Sequence, residues 1–233
     1  MTDPRTTPLA PLDEPVHRSR GIYDLVIMAF CVFLLLSNIG ATKLIDVGPV
    51  LGLGPYLLDG GAILFPLTYV LGDVLTEVYG LRGARRAILA GFAVSVLSSL
   101  ALLLVTLVPP AAGFEASSEA FSTIFGVVPR FVLASICGYL VGQFINAWVL
   151  VKIKQRTGER ALWARLLGST VVGEIADTLV FASVAWIGVL SVPEFTEFVV
   201  VGFVFKTLVE VVMLPVTYRV IAVIKRQEGL PVR

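Results

Sequence analysis

The sequence predicts an all-α integral membrane protein of six transmembrane helices, with both termini cytoplasmic and a weak signature of a 3+3 inverted repeat. Three observations carry that expectation. First, 57% of the 233 residues are hydrophobic, 15% are charged, and the mean hydropathy is +0.90. A soluble domain of this size has no interior large enough to hide so much apolar surface. Second, windows of about 20 residues with few charges, long enough to cross a bilayer, recur at roughly 22–43, 58–80, 86–108, 129–151, 167–190 and 197–220. Third, the basic residues concentrate in alternate connections.

His17, Arg18 and Arg20 precede the first window; Arg82, Arg85 and Arg86 occupy the second connection. Lys152, Lys154, Arg156, Arg160 and Arg165 fill the fourth, and Arg219, Lys225, Arg226 and Arg233 close the chain. In contrast, the third connection carries Glu115 and Glu119 with Arg130 only at its end, and the fifth carries Glu194 and Glu197. By the positive-inside rule both termini are cytoplasmic, as an even number of crossings requires. Lys plus Arg (18) nearly equals Asp plus Glu (17), so net charge favours neither a nucleic-acid partner nor an acidic ligand.

Residues 1–20, rich in Pro, Thr and charge, read as a disordered cytoplasmic tail. Residues 21–225 form the six-helix domain, and 226–233 a second cytoplasmic tail. The first apolar run is long enough to remain as a helix, and no cleavage site follows it. Cys31 and Cys137 fall inside expected helices and read as small packing residues. His17 is the one histidine, and no Walker A loop, zinc spacing or nucleophile elbow occurs. No cofactor or metal is implied, and the motifs exclude an ATP-driven engine on this chain.

The informative residues are those a bilayer rejects. A charge in the middle of a membrane helix costs several kcal/mol, so it faces protein or a water-filled cavity. On the second helix, Ala62, Pro66, Tyr69, Asp73, Thr76 and Gly80 share one stripe, with Glu77 at its edge. Glu77 lies within reach of Arg82, Arg85 and Arg86 and reads as their ion-pair partner at the cytoplasmic rim, whereas Asp73 is deeper and reads as functional. On the fifth helix Thr170, Glu174, Asp177 and Phe181 share a face flanked by Ser169 and Thr178. On the fourth, Ser135, Tyr139, Gln143 and Asn146 form a third stripe, and Gly138 and Gly142 allow close approach of a neighbouring helix. Lys206 on the sixth helix, with Glu210 one turn on, either neutralises a buried acid or touches ligand directly. Ser37 and Asn38 lie toward the outer end of the first helix. Helices 2 and 5, the acid-bearing pair, hold corresponding places in the two halves, as an inverted repeat would require.

Together these stripes offer carboxylates, amides, hydroxyls and one ammonium, interleaved with Phe65, Tyr69, Tyr139, Trp148 and Phe181. Such a set suits a small, flat, polar heterocycle. Carboxylates accept paired N–H donors, an amide answers a carbonyl, and rings stack on its face.

The motifs SNIGATKL, GGAILFPLTYVLGDVLTEVYG with ARRAIL, RFVLASICGYLVGQFIN, LWARLLGSTVVGEIADTLVF and FKTLVEVVMLPVTY span most of residues 22–224. In their order and content the chain resembles the queuosine precursor transporter family, six-helix membrane proteins also described as vitamin-uptake-like. The resemblance implies import of deazaguanine precursors of the tRNA nucleoside queuosine. Position by position, the family pattern falls on Asn38, Asp73, Arg130, Gln143, Ser169, Thr170, Asp177 and Lys206. This sequence departs from it at Asn146, where many relatives are expected to carry an acid, and at Glu174, where an amide is often found.

The expected function is therefore plasma-membrane import of a deazaguanine for queuosine salvage, by a multi-pass protein whose partners are that solute and the lipid bilayer, with no nucleic acid. A homo-oligomer stays open. The expected ligand site joins Asn38, Tyr69, Asp73, Tyr139, Gln143, Asn146, Ser169, Thr170, Glu174, Asp177 and Lys206. Protonation of a buried carboxylate would couple import to the proton gradient, because desolvation raises an acid's pKa toward neutrality. Two alternatives stand beside it. One is the substrate-binding membrane component of a vitamin importer energised by separate ATPase subunits. The other is an intramembrane enzyme, for which paired acids are compatible with acid–base chemistry but no nucleophile, metal set or cofactor loop accompanies them.

Overall fold

A computed structural model describes residues 20–48, 56–157 and 162–231. The expected tail at 1–19, the outermost residues 232–233 and Arg160 of the fourth connection lie outside the described residues, as do the side chains of Lys154, Arg156 and Arg165. In chain order the elements are α1 (Arg20–Gly40), β1 (Leu44–Asp46), β2 (Leu57–Asp59), a 3-10 turn (Gly60–Ile63), α2 (Phe65–Thr106), α3 (Glu115–Phe125), α4 (Val128–Thr157), α5 (Leu162–Trp186) and α6 (Val192–Gln227). Among the described residues, five helical stretches are long and apolar enough to cross a membrane: Gly21–Gly40, Phe65–Thr106, Glu115–Ile153, Gly168–Trp186 and Val192–Gln227. Large apolar side chains such as Leu89, Leu97, Leu104 and Val212 point outward, the surface an all-helical membrane protein presents to lipid.

The long α2 contains the main departure from the expected layout. Its backbone breaks at Gly80, where φ is 70° and ψ 176°, a conformation essentially reserved for glycine. The chain folds back there so sharply that a Cβ on Gly83 would lie 2.8 Å from Tyr79 Cβ. Packing against α1 gives the direction of each arm. Ser37 Oγ donates to Gly61 O at 3.2 Å near one end of α1, and the Tyr23 and Tyr79 rings meet at 4.8 Å near the other, so residues 65–79 run antiparallel to α1. Gly83 sits on Tyr23 and Gly91 on Phe30 and Leu34, so residues 81–106 run parallel to α1. The expected helices at 58–80 and 86–108 are thus two arms joined at one residue. Residues 81–85, expected as the connection between those windows, are helical and open the second arm.

The first arm also starts later than expected. Residues 57–59 pair antiparallel with 44–46, and the 3-10 turn follows before Pro66 opens the helix. The reason is a backbone contact: a Cβ on Gly60 would lie 2.7 Å from Gly40 O, and one on Gly61 2.7 Å from Ser37 O. Only glycines let this strand-and-turn segment lie against the end of α1. The third connection, read as a loop, contains α3, which begins on Glu115 as a helix N-terminus prefers. At the start of α6, Ser191 and Glu194 form a capping box: the Ser191 N–H and hydroxyl both donate to Glu194 Oε2, at 2.8 and 2.6 Å.

Two buried clusters hold the bundle. One joins Tyr23, Val26 and Phe30 to Val74, Leu75, Val78 and Tyr79, with Ala84 and Ala87 beneath. The other, at the opposite end, joins Ala41, Phe131, Trp186 and Phe198. Beside it Leu57 N–H donates to Glu197 Oε1 at 3.1 Å, tying the strand pair to α6.

Candidate functional site

α4 and α5 form the closest helix pair, and their seam aims the functional residues. A Cβ on Gly138 would meet Asp177 O and Oδ1 at 2.9 Å; one on Gly142 would meet Asp177 Cβ at 2.8 Å; one on Gly173 would meet Asn146 Cβ at 2.7 Å. Gly138, Gly142 and Asn146, each four residues apart, therefore line one face of α4 and lie on α5. Asp177 thus lies between its two neighbouring helices, its Oδ1 against Gly138 of α4 and its Oδ2 facing α6.

There Lys206 Nζ lies 2.9 Å from Asp177 Oδ2, with side-chain exposures of 18% and 29%. The same ammonium stands 5.0 Å from the centre of the Phe65 ring and 6.0 Å from that of Phe181. An ammonium over aromatic faces is attracted by their quadrupoles. Phe65 in turn packs on Tyr69 at 4.3 Å, one turn along α2. The Tyr69 phenol is in electrostatic range of Glu174, Asp177, Glu210 and Asp73. Thr207 donates to Glu174 Oε2 at 3.3 Å, one residue beyond Lys206. Four carboxylates on three helices thus come within electrostatic range of one tyrosine, and Lys206 is paired with one of them. In low dielectric such an arrangement attracts cations, protons and N–H donors.

Asp73 and Glu77 have different surroundings. Asp73 is exposed, and with Thr76, Glu77, Thr217, Tyr218 and Lys225 it lines a cavity of about 620 Å³ between α2 and α6. That volume falls in the range of small-molecule sites. Sequence proximity pairs Glu77 with Arg82, Arg85 and Arg86; the structure brings Lys225 of α6 to 2.6 Å from Glu77 Oε1. The difference arises because residues 77 and 225 are brought together by the α2–α6 packing, which sequence distance does not reveal. One turn of α6 further, Tyr79 Oη donates to Glu228 at 2.9 Å.

The remaining expected site residues divide. Asn38 is 4% exposed on α1, its Nδ2 without an acceptor among the described residues. Ser169 is buried, and Tyr139 is half-buried with its ring edge-on to Phe92 at 5.4 Å. Gln143 and Thr170 are exposed; the stripe of Tyr139, Gln143 and Asn146 is therefore split, with Asn146 on the glycine seam. Arg130 clamps the end of α5, its Nε donating to Val184 O at 2.7 Å and its Nη2 to Ile187 O at 2.6 Å. It satisfies carbonyls that a helix C-terminus leaves open.

Two residues escaped the sequence reading. Thr207 follows Lys206 and shows no signal beyond a hydroxyl in an apolar run. Asp59, in electrostatic range of Lys206, precedes Gly60–Gly61, where an acidic residue reads simply as a helix cap. Its place beside α6 depends on the backbone contact of that glycine pair with α1.

Comparison with known proteins adds a second line. Residues 59–220 match a family model described as "Putative vitamin uptake transporter". The chain is 30% identical over 159 residues to the "Probable queuosine precursor transporter" of Bacillus subtilis (strain 168), covering 68% of this chain and 69% of that one. It is 28% identical over 164 residues to the "Queuosine precursor transporter" of Escherichia coli (strain K12), covering 69% and 71%. A third relative, the "Probable queuosine precursor transporter" of Haemophilus influenzae, is 25% identical over 54% of this chain and 51% of its own. No solved structure matches the chain.

Proposed function

Because the chain belongs to the queuosine precursor transporter family, and is thus a multi-pass membrane transporter and not an enzyme, we propose that it imports deazaguanine precursors of queuosine across the plasma membrane. Six crossings accomplish this, the two arms of α2 counting as two, with both termini cytoplasmic as the basic connections require. α1 with the arms of α2 and α4 with α5 and α6 form the two halves of an inverted repeat, and the acid-bearing helices hold matching places in them.

The observation that carries this reading is the half-buried Asp177–Lys206 pair, whose ammonium faces the rings of Phe65 and Phe181. A packing core gains little from a buried ion pair, because desolvation offsets the attraction. A site for a flat polar base gains both its charges and its rings. The solute docks between α2, α4, α5 and α6, where its face stacks on the rings and its polar edge meets the carboxylates. The cavity between Asp73 and Lys225 then serves as the path of release on the cytoplasmic side. Proton uptake by the excess carboxylates around Tyr69 couples import to the proton gradient.

The test is queuosine salvage in a bacterial strain that cannot make the precursor. Wild-type chain restores queuosine in tRNA at low precursor concentration, and Asp73→Asn and Asp177→Asn, expressed at the wild-type level in the membrane, do not. Undiminished salvage by both variants contradicts the site.

A further inference from the structure

Two buried acceptors on the α4–α5 seam have no donor among the described residues: Glu174 Oε1 and Asn146 Oδ1. Asn146 packs on Gly173, the residue before Glu174, so the two side chains start from neighbouring points of α4 and α5. The cation nearest by chemistry is already committed, Lys206 being paired with Asp177 at 2.9 Å. Thr207 serves only the other Glu174 oxygen, at 3.3 Å. Buried acceptors are nearly always satisfied in folded proteins, and each one left open carries a desolvation penalty. Two open acceptors, one on each helix of the pair, therefore call for a molecule that brings N–H groups.

Building on the deazaguanine reading above, we propose that Glu174 and Asn146 are the specificity residues of the site, accepting the ring N–H and exocyclic amine of a 2-aminopyrimidinone edge. That edge presents two N–H donors, one for each open acceptor. A base lacking the exocyclic amine leaves one acceptor unpaired. A site built on hydrogen bonds discriminates against such an analogue far more strongly than an apolar pocket can. Asp177, Lys206 and the rings then hold the rest of the solute, and Asp73 belongs to the release path.

The experiment is equilibrium binding of 7-deazaguanine and of 7-deazahypoxanthine, which lacks the amine, to the purified full chain in lipid nanodiscs. Wild-type protein is expected to prefer 7-deazaguanine at least about tenfold. Both bases carry the ring N–H, so of Glu174→Gln and the near-isosteric Asn146→Leu, the one that removes the acceptor of that N–H weakens both bases about tenfold. The one that removes the acceptor of the amine weakens 7-deazaguanine about tenfold and leaves 7-deazahypoxanthine within about threefold, so that the preference collapses in that variant. A purely structural role for both residues weakens both bases alike in both variants. If wild-type protein binds the two bases equally, or if both variants keep the wild-type preference, the assignment is overturned while the deazaguanine reading stands. If wild-type protein binds neither base, the deazaguanine reading falls and the assignment with it.

Discussion

Lys206 and Asp177 meet across the α5–α6 contact with Nζ and Oδ2 2.9 Å apart, and the Phe65 ring of α2 stands 5.0 Å from the same ammonium. One lysine thereby ties three helices through one carboxylate and one aromatic face. Removing either charge leaves the other partly buried and unpaired. Asp177→Asn and Lys206→Met are each expected to lower stability by about 1–3 kcal/mol, less than for a fully buried pair because both groups retain some exposure. The double variant recovers most of that loss without recovering uptake. Thermal unfolding in detergent and uptake in cells, measured on all three, separate the structural share of the pair from the functional one.

The reversal at Gly80 yields a prediction free of steric complication. Nothing lies within 4 Å of a Cβ placed there, but the positive φ penalises any side chain. Gly80→Ala is expected to cost about 1–3 kcal/mol. Gly72 on the same helix also has open space around it, with no positive φ, and Gly72→Ala is expected to be neutral or slightly stabilising. Midpoints of thermal unfolding for the pair check this, and equal effects at both positions would contradict the cost assigned to a side chain at the positive φ of Gly80.

Along the α4–α5 seam the obstacle is space. Gly142→Ala forces a methyl group to within 2.8 Å of Asp177 Cβ and 2.9 Å of Gly173 O, so α5 must move and take Asp177 with it. Overpacking of this kind costs about 1–3 kcal/mol, and uptake falls with it. Gly202→Ala meets Thr178 only at 3.7 Å, an ordinary contact, and is expected to be tolerated. Expression level and uptake of the two variants provide the comparison.

Glu77 and Lys225 form an ion pair in which Glu77 is 59% exposed. Exposed pairs contribute less than about 1 kcal/mol. Glu77→Gln is therefore expected to shift thermal stability little, and less still at high salt, whereas Asp73→Asn, one turn deeper in the same cavity, abolishes uptake. A salt titration of unfolding beside an uptake assay distinguishes the two acids.

How far these relationships can be read from the chain depends on whether they are local or tertiary. The apolar windows, the face shared by Tyr69 and Asp73, and the glycines of α4 follow from composition and helical period, and the structure has them as helices and as a close helix seam. Hydropathy does not distinguish strand or 3-10 turn from helix, so residues 58–63 read as helix until their contact with Gly40 and Ser37 is known. Nor does period alone choose between two faces of α4. Gln143 and Asn146 appear as neighbours on a helical wheel, yet the position of α5 leaves one exposed and draws the other into the seam. Lys225 as partner of Glu77, and Asp59 beside Lys206, depend on packing between segments 148 and 147 residues apart, for which no local signal exists.

The central claim, that this chain alone carries a deazaguanine through a path walled by Asp177 and Lys206, is tested most directly by counterflow. Purified protein is placed in liposomes loaded with unlabelled 7-deazaguanine, and entry of the labelled base is followed without ATP or any other protein. The account predicts rapid accumulation with wild-type chain and a loss of at least tenfold with folded Asp177→Asn, by analogy with other buried charge contacts to ligand. Entry no faster than into protein-free liposomes, from wild-type chain shown to be folded and inserted, would contradict it.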